Sequence, residues 1–137
     1  MSSGFIKLAG LQFAGLKNRK ERNLAVAEQM IKQAAQHGAQ ILLTPEVVLT
    51  GFIGGEEERD LAESIPGPTT SAIGELARQL DVYILFGMSE LLDGQIYNAI
   101  AVIGRDGSLM GVMRKVHINK HETWQQWRNG SEFPVWT

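Results

Sequence analysis

The sequence predicts an α/β chain in which two strand–helix crossovers feed a sheet that then turns antiparallel. Three observations carry that expectation. Hydrophobic spacing alternates along the chain between short apolar runs and a helical period. The run Ala39 to Leu43 is continuously apolar, the mark of a strand buried on both faces. Further on, three apolar segments are separated by Asp93-Gly94 and Asp106-Gly107, dipeptides that favour tight hairpin turns.

Taken in order, Phe5 to Phe13 reads as the first strand, with Ile6, Leu8, Gly10 and Gln12 on one face. Asn18 or Lys20 opens a long helix in which Leu24, Ala27, Met30, Ile31 and Ala34 fall at helical spacing. His37-Gly38 ends it, because glycine tolerates the left-handed conformation that helix C-termini adopt. After the second strand, Thr44-Pro45-Glu46 interrupts the ladder, since Pro45 has no N–H to donate. A glycine-rich loop, Gly51 to Gly55, and an acidic stretch, Glu56 to Glu63, lead to the strong turn Pro66-Gly67-Pro68. Thr69 or Thr70 can cap a helix running to about Leu80. Strands over Val82 to Glu90, Ile96 to Ile103 and Leu109 to Val116 follow. The tail, Asn119 to Thr137, holds all three tryptophans without a clear period, so it reads as irregular chain lying over something. This β-α-β-α-β-β-β order does not complete a three-layer sandwich. A bare sheet face or an open edge is therefore expected.

Composition narrows the function classes. At 137 residues the chain fits one domain with a real core. Thirteen Lys and Arg against fifteen Asp and Glu give a net charge of -2, so no single-signed field would gather nucleic acid or an anionic membrane. Neither is expected as a partner. Lys7 and Lys17 interrupt the apolar stretch from Phe5 to Leu16, which does not read as a signal peptide. No run approaches the roughly 18 apolar residues of a membrane span, and a cytoplasmic setting is the expectation. The sequence contains no cysteine, which excludes disulfides, thiolate metal sites and a cysteine nucleophile among these residues.

Two residues are first candidates for chemistry. Glu46 follows the carboxyl end of a buried strand, where open α/β sheets place ligand crevices. Held against apolar walls such as Leu43, Val47 and Phe52, it would take up a proton more readily, as a general base requires. Taken alone, a Pro-Glu pair more often marks a solvated loop glutamate. Lys115, at the end of the last strand, could stabilise a developing oxyanion. Alone, it better fits an edge-strand lysine that discourages aggregation. His117, His121 and Glu122 invite a metal reading, but the segment does not read as helix and no third histidine lies near. No metal site is expected. There is no Gly-x-Ser-x-Gly elbow, and Gly51 to Gly55 lacks the Lys-Ser/Thr ending of a phosphate-binding loop.

Together these pieces carry a resemblance. Lys7 to Phe13, Asn23-Leu24, Ala34-Ala35 and Gly38 to Glu46 resemble the first strand, first helix, second strand and catalytic glutamate of the nitrilase/amidase (carbon–nitrogen hydrolase) superfamily. Ile65 to Thr69 resembles the turn before its second helix; Gly87, Ser89-Glu90 and Tyr97-Asn98-Ala99 resemble its central strands. Asp106-Gly107 and Arg114 to Ile118 look like the strand that delivers its catalytic lysine.

The resemblance implies an α-β-β-α sandwich-type mixed sheet of which residues 1–137 form an incomplete, N-terminal part, ending before the nucleophile. It implies hydrolysis of a non-peptide C–N bond by a Glu-Lys-Cys triad, with no cofactor. Glu46 would take the thiol proton and later activate water, Lys115 would stabilise the tetrahedral intermediate, and the cysteine would form the covalent intermediate. Glu122 is the nearest match to an assisting second glutamate, with a spacing to Gly130 off by about one residue. His117 would position the lysine. Asn129 stands where proline is usual. Phe52, His117 and Trp124 are candidates for the substrate pocket, although Trp124 and Trp127 equally fit anchors to the sheet or to a partner subunit. Implied partners are a small amide, N-carbamoyl or nitrile substrate and a second copy in a homo-oligomer. Without a cysteine this chain alone should be inactive. The other readings are a non-catalytic interaction module pairing its open sheet with another chain, and a cysteine-free enzyme using the Glu46–Lys115 pair.

Overall fold

A computed structural model describes residues 4–136, apart from the side chain of Trp124. The strands are β1 (Leu8–Gly10), β2 (Ile41–Leu43), β3 (Tyr83–Leu92), β4 (Gln95–Ile103), β5 (Leu109–Arg114) and β6 (Trp127–Arg128). The helices are α1 (Lys20–Gln36), α2 (Gly55–Leu61), α3 (Pro68–Leu80) and α4 (Lys120–Trp124). They build one mixed sheet in the order β1-β2-β3-β4-β5, with β6 added alongside β4. β1, β2 and β3 run parallel through the α1 and α3 crossovers, whereas β3, β4 and β5 are antiparallel. This is the expected α/β architecture.

Side-chain alternation divides the sheet into two faces. Ala9, Leu42, Ile84 and Ile103 lie in register across four strands and pack with Ala27, Ile31, Ile73 and Ala77 of α1 and α3. On the opposite face Leu8, Ile41 and Tyr83 align, as do Gly10, Leu43 and Leu85. Among the described residues no helix covers that end: Leu8 is 69% and Leu43 43% exposed. The expected bare sheet face is therefore present. Farther along the same face, Ile96, Val47 and Trp127 make a smaller buried cluster with Phe52, Leu91 and Ile118.

Several local expectations need correction. Ladder pairing of the first strand is confined to Leu8–Gly10, and Phe5 and Ile6 are exposed instead. The acidic stretch contains α2, a helix without an apolar stripe; Glu58 holds its start by accepting from the N–H groups of Ile53 and Gly54 at 2.8 and 3.0 Å. At α3 the N-cap is Gly67 rather than a threonine. Thr70 Oγ accepts from the Gly67 N–H, while Thr69 donates its hydroxyl to Glu63. The tail is not wholly irregular, since it supplies α4 and β6. Trp127 is fully buried and stacks on Phe52 with ring centroids 5.6 Å apart, so it anchors the segment to the sheet. Among the described residues no helix is long and apolar enough to cross a membrane.

Candidate active site

Glu46 sits on a tight elbow just past β2. Thr44 N–H donates to Leu85 O at 3.0 Å, Gly87 N–H to Thr44 Oγ at 2.8 Å, and Val48 N–H to Gly87 O at 3.2 Å. The elbow lies so close to β3 that a Cβ on Gly87 would meet Pro45 O at 2.1 Å, which requires glycine there. Val47 has φ of 47°, a costly conformation for a β-branched residue, and the surrounding hydrogen bonds hold it there.

Lys115 leaves β5 with its N–H still bonded to Asn98 O at 2.8 Å, and Gly130 N–H donates to Lys115 O at 2.9 Å. Glu122 sits in the first turn of α4. Its N–H donates to Asn119 Oδ1 at 3.0 Å, and its Oε2 accepts from Asn119 N–H at 2.9 Å, a reciprocal capping box. That leaves Oε1 for the site.

The three elements bring Glu46, Lys115 and Glu122 together. Lys115 Nζ donates to Glu122 Oε1 at 3.0 Å and to Glu46 Oε2 at 3.3 Å. Asn98 Nδ2 donates to the same two oxygens, at 3.0 Å for Glu46 and 3.5 Å for Glu122. Burial by itself would lower the Lys115 pKa, but hydrogen bonds to Glu122 and Glu46 and their charges outweigh it and raise it above 10.5. Burial would raise that of Glu122, but its bonds from Asn119, Lys115 and Asn98 hold it below 4.5. Both groups are thus charged at neutral pH.

Glu46 does not sit against the expected apolar wall. Val47 and Phe52 pack around Trp127 and Ile96, and the Glu46 side chain is 56% exposed. Among the described residues no donor reaches its Oε1. His117 is not brought to the lysine: its exposed ring lies 6.0 Å from that of Phe133, and neither bond of Lys115 Nζ comes from it. Phe52 serves the Trp127 cluster. The side chain of Trp124 lies outside the described residues. The segment with His117, His121 and Glu122 contains α4, contrary to the expectation that it is not helical. Among the described residues no three His, Asp or Glu side chains are grouped to hold an ion, and both Glu122 oxygens already accept hydrogen bonds.

Sequence reasoning missed two residues here. Asn98 stands in the Tyr97-Asn98-Ala99 stretch that resembles a central strand of the superfamily, with nothing in the sequence to mark its role. Glu58, fully buried, accepts from the Ser89 hydroxyl, which in turn lies 3.2 Å from Thr50 Oγ. Ser89 is directly opposite Asn98 in the ladder, so this second polar group lies beside the first.

Residues 7–135 match the carbon-nitrogen hydrolase family, and the chain belongs to it. The omega-amidase of Xenopus tropicalis is 38% identical over 100 residues, covering 72% of this chain and 36% of that protein. A nitrilase of Pyrococcus abyssi is 35% identical over 116 residues, covering 82% and 44%. The chain thus spans less than half the length of these curated relatives. In fold it is similar to Saccharomyces cerevisiae Nit3, of the nitrilase superfamily, with a TM-score of 0.79, 24% identity, and coverage of 93% of this chain and 49% of the other.

Proposed function

We propose that residues 1–137 are the N-terminal part of a hydrolase domain and supply the acid–base half of a Glu-Lys-Cys triad acting on a non-peptide C–N bond. The observation that carries this reading is the shared Lys115 ammonium, within hydrogen-bond reach of both Glu46 and Glu122. Glu46 Oε1 is open to take the proton of a cysteine thiol as sulfur attacks the substrate carbon. Lys115 has three N–H donors, of which two serve the carboxylates; the third, without an acceptor among the described residues, can serve the oxyanion. For an amide, Glu46 then passes its proton to the departing nitrogen as the C–N bond breaks, and next takes one from the water that releases the acyl group. Glu122, nearly fully buried, keeps the lysine charged and in place.

The substrate class is an amide, nitrile or N-carbamoyl compound, supported by the omega-amidase and nitrilase names of the relatives. No cysteine is among these residues, so the 137-residue chain performs no covalent step and is inactive. A second reading, a non-catalytic module that pairs its sheet with another chain or a second copy, is favoured by the exposed Leu8 and Leu43.

Reading the coding sequence past Thr137 separates the two. An in-frame strand ending in cysteine, with ammonia release from small amides, nitriles or N-carbamoyl compounds by that longer product only, supports the hydrolase. A stop codon directly after Thr137 sinks the hydrolase reading for this molecule and leaves the module.

A further inference from the structure

One residue touches all three members of the constellation, with two of its atoms. Asn98 Nδ2 reaches Glu46 Oε2 at 3.0 Å and Glu122 Oε1 at 3.5 Å, while its backbone carbonyl accepts the Lys115 backbone N–H at 2.8 Å. With Lys115 Nζ at 3.3 and 3.0 Å from those same oxygens, two donors and two acceptors close a ring. The amide orientation is dictated by chemistry: ionised carboxylates only accept, so nitrogen must face them. Asn98 is 3% exposed and lies on β4, paired by β3 on one side and β5 on the other. It is a fixed point.

We infer that Asn98 is a positioning residue, holding Glu46 and Glu122 together so that Lys115 can turn toward an oxyanion without the carboxylates separating. The inference rests on the hydrolase reading. Two carboxylates sharing one cation repel each other, and any turn of Lys115 toward substrate weakens one of its two bonds. A neutral donor bonded to both oxygens keeps them in place meanwhile, and it cannot follow the substrate or lose its proton. Aspartate would add a third anion, and leucine would supply no donor.

The test is an NMR titration of the isotopically labelled 137-residue chain. In the unmodified protein the Asn98 side-chain amide signals should move as Glu122 is protonated at acid pH. In Asn98→Ala the proton affinity of Glu122 should rise several-fold, and in Asn98→Asp further still. The Lys115 amide should remain protected from exchange in both, because its acceptor is the backbone of position 98 and the β4–β5 ladder is intact. A purely structural role would not move Glu122. Asn98 amide signals that stay flat through the Glu122 titration, or a folded Asn98→Ala with Glu122 unmoved, would overturn the inference. Should Asn98→Ala unfold, the amide titration of the unmodified chain decides alone. Ammonia release plays no part in this test. A failed hydrolase assay would remove the catalytic meaning of the ring, whereas a flat titration would remove the ring itself.

Discussion

Trp127 should be the residue on which the second half of the site depends. It is fully buried, pairs with Ile96 through β6, and stacks on Phe52 at 5.6 Å with 25° between the rings. Its position fixes the segment that follows α4 and so the placement of Glu122. Truncating such a side chain costs about 3–5 kcal/mol in lost transfer energy and residual cavity. That is a large share of the roughly 5–15 kcal/mol that holds a domain folded. For a chain of this size Tm should fall by about 10–20 °C. Trp127→Phe is the informative partner. Among the described residues the indole Nε1 has no hydrogen-bond partner, so the change breaks no bond and leaves only a small cavity. At ~24 cal/mol per Å³, a few tens of Å³ cost about 1 kcal/mol. Urea unfolding followed by circular dichroism at one fixed protein concentration measures both variants. If Trp127→Ala costs less than about 1 kcal/mol, the anchoring role fails. If Trp127→Phe costs as much as Trp127→Ala, the indole N–H carries a bond and the packing argument is wrong.

Three further outcomes follow from the charged groups. At Glu63 burial favours the neutral acid, but hydrogen bonds from Lys20 and Thr69 outweigh it and hold the carboxyl below 4.5, as happens at Glu122. The stability these lowered groups contribute is complete above pH 4.5 and is lost as pH falls through their folded-state values. Lys115, raised, contributes below pH 10.5 and loses its contribution as pH climbs through its folded-state value. Urea midpoints should therefore fall below pH 4.5; a midpoint indifferent to acid there contradicts the assignment. Lys115→Met leaves the buried Glu122 without its cation and should cost about 1–3 kcal/mol, discounted because the lysine is 30% exposed. Adding Glu122→Gln should restore part of that loss, and a double-mutant cycle with no coupling would refute the pairing. Glu58→Ala strands the N–H groups of Ile53 and Gly54 and the Ser89 hydroxyl, at about 2–4 kcal/mol in total. Amide exchange at Ile53 and Gly54 should accelerate with it, and unchanged protection there would show that Glu58 does not hold the loop.

The parts of the fold legible in sequence are those whose signals are local. Gly38 does adopt the left-handed conformation that ends α1, with φ of 82°, and Asp93-Gly94 carry φ of 49° and 72°, both positive as a type I′ hairpin requires. α2 has no local signal in the sequence because its support is a buried carboxylate and a loop, not an apolar stripe. α4 announces itself only by Asn119 three residues before Glu122, a capping signal easily passed over in a five-residue helix. β6 has no sequence mark at all, since two residues become a strand only by pairing with β4. In the site, Glu46, Lys115 and Glu122 could be named from motif order. Asn98 could not be given a role, because its place in the ring depends on a register that brings β5 and α4 to the same point of β4. The apolar wall expected around Glu46 failed for the same reason: Val47 and Phe52 had a better partner in Trp127, distant in sequence.

Replacing Glu46 and Lys115 in a cysteine-bearing form of this domain puts the central claim to its most direct test. Ammonia release from a small amide would be followed for the unmodified protein, Glu46→Gln and Lys115→Ala, with circular dichroism confirming that each is folded. If Glu46 moves the protons and Lys115 meets the oxyanion, each change should lower kcat/KM by at least about 100-fold, the scale of losing a general base or an oxyanion donor. Folded variants that keep near-normal kcat/KM would show that the Glu46–Lys115–Glu122 cluster is a structural ion-pair network and not the site of hydrolysis.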